Sequence, residues 1–243
     1  MGKYRLLALD MDGTLLNNEH RISAENEKWI KQAVDAGVKV CFATGRSIRS
    51  MGEYIDQLHY TSPMVTVNGS ELWESPVSLF ARYELQRNAV EKFHALAVQQ
   101  DVWFWGYAVD GLYNKDNWDG PDHRWLKFGY YIEQQDVREY IREQIQQEGT
   151  FEVTNSHPFN IEINPEGVHK ASGLEKVGAM LDISMKEMVA MGDSLNDATM
   201  IRKAGLGIAM GNAQQEVKDM ADLVTVTNEE NGVAKVIQEI ILA

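Results

Sequence analysis

One cysteine in 243 residues, Cys41, excludes a disulfide within the chain. A chain without cross-links fits a reducing compartment, so the cytoplasm is the expected location. Cys41 sits in the apolar run 38–43 and reads as core filler rather than as a nucleophile. Cations are also scarce: 23 Lys and Arg face 36 Asp and Glu, for a formal net charge of −13 and a pI near 4.9. Such a surface repels a phosphate backbone and an anionic bilayer, which argues against nucleic acid or membrane as partner. An anionic substrate would need a cation placed locally. No long apolar run is present either. The stretch 6–9 is interrupted by Asp10 and Asp12, too short for a signal-peptide core or a membrane span. Met1-Gly2 is followed at position 6 by Leu rather than Ser or Thr, so the myristoylation pattern is not met.

What is present fits a folded protein. A hydrophobic fraction of 44% and a charged fraction of 24% are ordinary globular usage. The length is more than one typical domain and less than two, which suggests a main domain carrying a smaller insert.

Residues 4–9 are a continuous apolar strand signal. Ser23 then caps a helix in which Trp29, Ile30, Ala33 and Val34 recur at helical spacing until Gly37 stops it, and a second buried strand follows at 38–43. Strand, helix, strand makes a parallel crossover, and such sheets place their chemistry in loops at the carboxyl ends of strands. The alternation returns late: helix 171–180, strand 188–191, helix 196–204, strand 206–210, helix 213–220, strand 223–226, helix 233–241. This predicts a doubly wound α/β sheet. Between them the pattern changes, with a helix at 88–99, strands at 102–107 and 112–114, a helix at 137–147, and strands at 151–154 and 160–163. Asp110-Gly111 reads as a hairpin turn. The expected organisation is therefore a core of 1–80 and 166–243 interrupted by an α+β insert, 81–165. The stretch 116–129 shows no clear period.

Asp10-Met11-Asp12-Gly13-Thr14 follows the first strand directly, so Asp10 and Asp12, two residues apart, lean to the same side of the chain. Two neighbouring anions call for a cation, and hard oxygen ligands suit Mg²⁺. A turn rich in Asp and Gly would look the same in isolation. A second acidic cluster, Met191-Gly192-Asp193-Ser194-Leu195-Asn196-Asp197, again follows an apolar strand and is expected to place Asp193 and Asp197 four apart on one helical face. Helix capping by Asp193 is the plainer alternative. Thr44-Gly45-Arg46 ends the second strand, where free backbone N–H groups and a hydroxyl can hold phosphate oxygens; an ordinary strand-to-helix turn is the alternative. Lys170 precedes the next helix, and most lysines are merely solvated.

Taken together, these residues resemble the haloacid dehalogenase superfamily of phosphohydrolases, in particular the Cof-type branch with a large α/β cap. The resemblance spans essentially the whole chain. It rests on Asp10-Met11-Asp12-Gly13-Thr14-Leu15-Leu16, Ala43-Thr44-Gly45-Arg46, Val67-Asn68-Gly69, Lys170, Gly192-Asp193-Ser194-Leu195-Asn196-Asp197, Ala209-Met210-Gly211-Asn212-Ala213 and Asn231-Gly232-Val233-Ala234. It implies a Rossmann-like core with an inserted cap, Asp10 as the nucleophile on phosphorus, and Asp12 as acid and then base. It also implies Mg²⁺ bound by Asp10 and Asp193 and by the backbone carbonyl of Asp12, with Asp197 in or near the shell. Met11, Thr44, Gly45, Lys170 and Asn196 would hold the phosphoryl group. Met11 stands where Leu is common, and Ala171 where Gly is common.

The resemblance further implies hydrolysis of a small phosphorylated metabolite, such as a sugar phosphate or pyridoxal phosphate, by a monomer or small homo-oligomer. The insert would be a lid that reads the leaving group. Its candidates are Trp103, Trp105, Tyr107, Trp118, His123, Trp125 and His157, although alternating aromatics also form one packed face of a sheet. Asn68 is placed at the hinge side of the site, or in a plain Asn-Gly turn. A sugar phosphomutase is the neighbouring alternative, separated by isomer formation instead of phosphate release. A non-catalytic phosphate-binding module is the alternative from another class, and the intact Asp10 and Asp12 count against it.

Overall fold

The computed structural model describes residues 3–243. Along the chain, β1 (Leu6–Leu9), α1 (Ala24–Asp35), β2 (Lys39–Ala43), α2 (Gly52–Gln57), β3 (Met64–Thr66), β4 (Glu71–Ser75) and β5 (Ser78–Arg82) come first. A second group follows: α3 (Arg87–Gln99), β6 (Trp103–Ala108), β7 (Leu112–Asn114), β8 (Trp125–Tyr131), α4 (Gln135–Glu148), β9 (Phe151–Thr154) and β10 (Asn160–Pro165). The chain returns with α5 (Lys170–Leu181), β11 (Met188–Gly192), α6 (Ala198–Lys203), β12 (Leu206–Ala209), α7 (Gln215–Met220), β13 (Leu223–Val224) and α8 (Gly232–Val236), which runs on as a π-helical turn, Ile237–Ile241.

The first and third groups build one sheet in the order β13-β12-β11-β1-β2-β3-β4-β5. Its central strands read as unbroken apolar runs because both faces are covered. Along β1 the side chains alternate: Leu7 and Leu9 pack with Ile30, Ala33, Val233 and Val236 of α1 and α8. Leu6 and Ala8 pack with Ala171, Leu174 and Val177 of α5 and Met200 of α6. The doubly wound α/β class is therefore the fold observed, and Ser23 caps α1 as expected by accepting from the Asn26 N–H.

The sheet is not parallel throughout. From β13 to β3 every pair is parallel, but β4 and β5 are antiparallel. The link from β3 to β4 is Val67-Asn68-Gly69, with φ of 51°, 57° and 109°. A left-handed turn this short can reverse a strand but cannot make a parallel crossover, which needs about a dozen residues.

The middle group forms a separate five-stranded sheet, β7-β6-β8-β10-β9, a cap backed by α3 and α4. One of its faces is apolar: Phe104, Phe128, Tyr130, Ile161 and Ile163 pack with Val90 and Phe93 of α3 and Ile141 and Ile145 of α4. The opposite face carries Trp105, Tyr107, Lys127 and Glu162 toward the core sheet. The structure corrects the reading of 116–129 here, because Trp125–Tyr131 is the central cap strand β8. Being covered on both sides, it lacks the polar alternation that marks a half-exposed strand. Among the described residues no helix is long and apolar enough to cross a membrane.

Candidate active site

The adjacent parallel strands β11, β1 and β2 end at one edge of the core sheet. Their outgoing loops carry Asp193, Asp10 and Thr44, so three separate sequence segments meet where ligands bind in open α/β sheets. Carboxylate oxygens of Asp10, Asp193 and Asp197 all lie within 4.8 Å of one another. Gly13 makes this approach possible: it has φ 77°, and a Cβ there would sit 2.6 Å from an Asp193 oxygen.

Lys170 is fully buried and tied to two of the three acids. Its Nζ donates to Asp10 Oδ1 at 2.6 Å and to Asp197 Oδ1 at 2.7 Å. Burial alone would depress its proton affinity, yet the two carboxylates outweigh that and raise it. The surface-lysine alternative is thereby ruled out. Asp197 is committed on its other oxygen as well, where Oδ2 accepts the backbone N–H groups of Asp193 and Ser194 at 3.0 and 3.1 Å. Asp193 accepts from the hydroxyls of Thr14 at 3.0 Å and Ser194 at 2.9 Å. The loop is a 3-10 turn, Leu195–Asp197, before α6, so Asp193 and Asp197 do not share a helical face as expected. They meet because the turn folds the Asp197 carboxylate back onto the Asp193 amide.

One ammonium cannot balance three acids. Burial, and then the neighbouring carboxylates, push Asp10 well above the ordinary range against the pull of Lys170. Burial and the Asp197 charge push Asp193 up to about 7. A divalent cation would leave the four groups with no net charge, and the donors are all hard oxygens. The residues thus fit Mg²⁺.

Asp12 stands apart. Its carboxylate is gripped bidentately by Arg46, Nε to Oδ2 at 2.7 Å and Nη2 to Oδ1 at 2.6 Å, with His20 Nδ1 at 3.4 Å. Burial acts to raise its carboxyl, but the hydrogen bond and charge of Arg46 win and hold it below the ordinary range. Its side chain is outside the three-acid cluster.

Thr44 is buried, and its hydroxyl accepts the Arg46 amide at 3.1 Å. Gly45 and Asn196 line a cleft of about 250 Å³ together with Asp10 and Asp12. Met11 puts its side chain in the hydrophobic core, so only its main chain can face a ligand. Asn68 belongs to the site's border: its Nδ2 donates to Glu162 of the cap at 2.7 Å, and its Oδ1 accepts from Asn196 at 3.3 Å.

Of the cap aromatics, Trp105 and Tyr107 line the cleft. Trp125 is fully buried in the cap core with Trp118 stacked on it, His123 bridges Asp110 and Asp119, and His157 packs against Phe159. Lys127, Ser156, Asn160 and Glu162 line the cleft too, and sequence reasoning missed them. The available signal was Lys127 within an aromatic stretch, two residues from both Trp125 and Gly129.

A family model described as haloacid dehalogenase-like hydrolase matches residues 7–139 and 114–237. The chain belongs to this family. It is 44% identical to the 5-amino-6-(5-phospho-D-ribitylamino)uracil phosphatase YcsE of Bacillus subtilis, over 98% of this chain and 96% of that protein. It is 28% identical to the HMP-PP phosphatase of Yersinia pseudotuberculosis, over 95% and 93% of the two chains. Among solved structures, a haloacid dehalogenase-like hydrolase from B. subtilis superposes with a TM-score of 0.89 at 23% identity, covering 97% of this chain and 99% of that one, a likeness of fold. The chain is accordingly a phosphatase of the haloacid dehalogenase type, a phosphoric monoester hydrolase.

Proposed function

We propose that the chain hydrolyses small phosphate monoesters by passing the phosphoryl group first to Asp10 and then to water. The observation that carries this is the pinning of Asp10 by a buried lysine beside a second acidic pair, at the sheet edge that also bears the Thr44 loop. An Asp10 oxygen attacks phosphorus as the ester P–O bond breaks, and Asp12 donates the proton that the departing alkoxide needs. Water then attacks the phosphorus of the aspartyl phosphate while Asp12 takes its proton, which releases phosphate and restores Asp10. Arg46 favours the ionised Asp12 required in the second half, so the clamp must loosen when Asp12 acts as acid. Thr44, Gly45, Asn196 and the backbone of Met11 would hold phosphoryl oxygens, with Lys170 supplying fixed positive charge. Asp10, Asp193 and the Asp12 carbonyl would hold Mg²⁺, with Asp197 orienting Lys170 and the turn. When bound, the ion supplies the neutralisation that lets a phosphate dianion approach a carboxylate.

For the substrate we place 5-amino-6-(5-phospho-D-ribitylamino)uracil first. The full-length likeness to YcsE supports it. So does the cleft, which Trp105 and Tyr107 line with aromatic side chains suited to a planar ring and where Ser156 and Asn160 can partner a hydroxylated chain. The test is kcat/KM for phosphate release from this ester, simple sugar phosphates, pyridoxal phosphate and an aryl phosphate, with Mg²⁺ and with chelator. A preference for the ring-bearing ester supports the assignment. Equal rates on ring-free sugar phosphates would refute it, and isomer formation without phosphate would indicate the mutase.

A further inference from the structure

The cleft contains a cation that the chemistry above leaves unused. Lys127, on cap strand β8, is 2% exposed and lines the same cavity as Asp10 and Asp12. Its Nζ donates to the Gly45 carbonyl of the core at 3.0 Å and to Glu162 Oε2 of the cap at 3.0 Å. The ammonium also lies 5.1 Å from the centre of the Tyr107 ring. Glu162 is already well served, accepting from Asn68 Nδ2 at 2.7 Å and from the Ser156 hydroxyl. An ammonium has three N–H donors. Two of Lys127's are accounted for, and the third has no hydrogen-bond partner among the described residues.

The ammonium sits beside the loop that follows Thr44. A Cβ built on Gly45 would lie 3.3 Å from Lys127 Nζ, 3.1 Å from Asn68 Oδ1 and 3.8 Å from Asn196 Nδ2. The cap's ammonium and the core's amide therefore converge on the loop that follows Thr44. Stability alone does not call for this arrangement, since a buried ion pair can often be replaced by apolar groups at no loss.

We propose that Lys127 is a substrate-binding residue whose free N–H donates to a phosphoryl oxygen of the ester. The cap then contributes a phosphate-binding cation, complementing Lys170 from the core. The inference rests on the phosphatase reading. It also makes phosphate binding and cap docking one event, because Lys127 bridges to Gly45 across the seam.

The test uses K127M/E162Q, which removes the pair without stranding a buried carboxylate, and K127Q, which keeps a donor for Gly45 but not the charge. Three quantities are read: the inhibition constant of inorganic phosphate, kcat/KM on an alditol phosphate and on an aryl phosphate, and the melting temperature. A lost charged hydrogen bond should weaken phosphate inhibition about ten- to hundredfold in both variants. Both esters should lose kcat/KM by a similar factor, because they share the phosphate and not the leaving group. E162Q alone should keep phosphate inhibition within about threefold, well under the loss of one charged bond. Unchanged phosphate inhibition in either folded variant, or a loss confined to the alditol phosphate, overturns the proposal. A wild type that neither binds phosphate nor hydrolyses either ester sinks the phosphatase reading and this inference together.

Discussion

Replacing Lys170 by methionine removes one buried charge while keeping most of the side-chain volume, so the cavity contribution is small. Lys170 is fully buried and bonded to Asp10 and Asp197 at 2.6 and 2.7 Å. Breaking a buried pair by deleting one partner typically costs 3–5 kcal/mol, about what is expected here. The loss has a ceiling, because a stranded carboxylate takes a proton instead. For a group with an ordinary value of 3.8, protonation at pH 7 costs about 4 kcal/mol. At pH 5 the same ceiling falls to about 2 kcal/mol. For a chain of this size the deficit at pH 7 corresponds to a melting point lower by about 10 °C, shrinking by roughly half at pH 5. Thermal unfolding in chelator at the two pH values measures it. A deficit independent of pH would mean that packing, not charge, was lost, and an unchanged melting point would refute the buried triad.

Magnesium should raise the melting point of the wild type, and the gain should grow as pH rises through about 7. Asp193 is raised by burial and by Asp197 to about 7, so without metal its ionisation destabilises the fold as pH climbs from 3.8, whereas metal binding needs it ionised; a magnesium shift that is flat with pH would contradict this. Arg46→Ala frees Asp12 from the clamp that holds its carboxyl low, so the pH profile of kcat/KM should move to higher pH; an unmoved profile would dissociate Asp12 from acid catalysis. Glu162 is held below its ordinary 4.5, since Lys127, Ser156 and Asn68 outweigh the effect of burial. Its contribution to stability is present above 4.5 and lost as pH falls through the folded value, so the wild type should lose stability on acidification more steeply than Glu162→Gln.

The core was legible because its signals are local. Leu6 to Leu9 is apolar on both faces, Ser23 caps α1, and the acidic motifs sit directly after strands. The partners of those motifs were less legible, because they are set by packing across the fold. That Lys170 lies against Asp10, 160 positions away, follows from α5 docking under β1 and not from its own neighbourhood. Strand β8 was missed for a related reason. A Cβ on Gly129 would lie 2.6 Å from the Trp105 ring, and one on Gly106 would lie 2.6 Å from Trp125. Gly129, at the end of a stretch without clear period in sequence, is here the socket for the Trp105 indole on the neighbouring strand, as Gly106 within β6 is for Trp125. With β8 unread, Lys127 had no face assigned to it. The turn Val67-Asn68-Gly69 was recognised as a motif, but its left-handed Val67 and the antiparallel hairpin it starts were not, since branched residues rarely adopt positive φ.

The central claim is that Asp10 carries the phosphoryl group. Acid-quenching the enzyme during turnover with Mg²⁺, followed by peptide mapping, tests it most directly. Phosphate is expected on the peptide containing Asp10 in the wild type and none in a folded, inactive Asp10→Asn. A phosphoryl group on another residue, or turnover retained by Asp10→Asn, would contradict it.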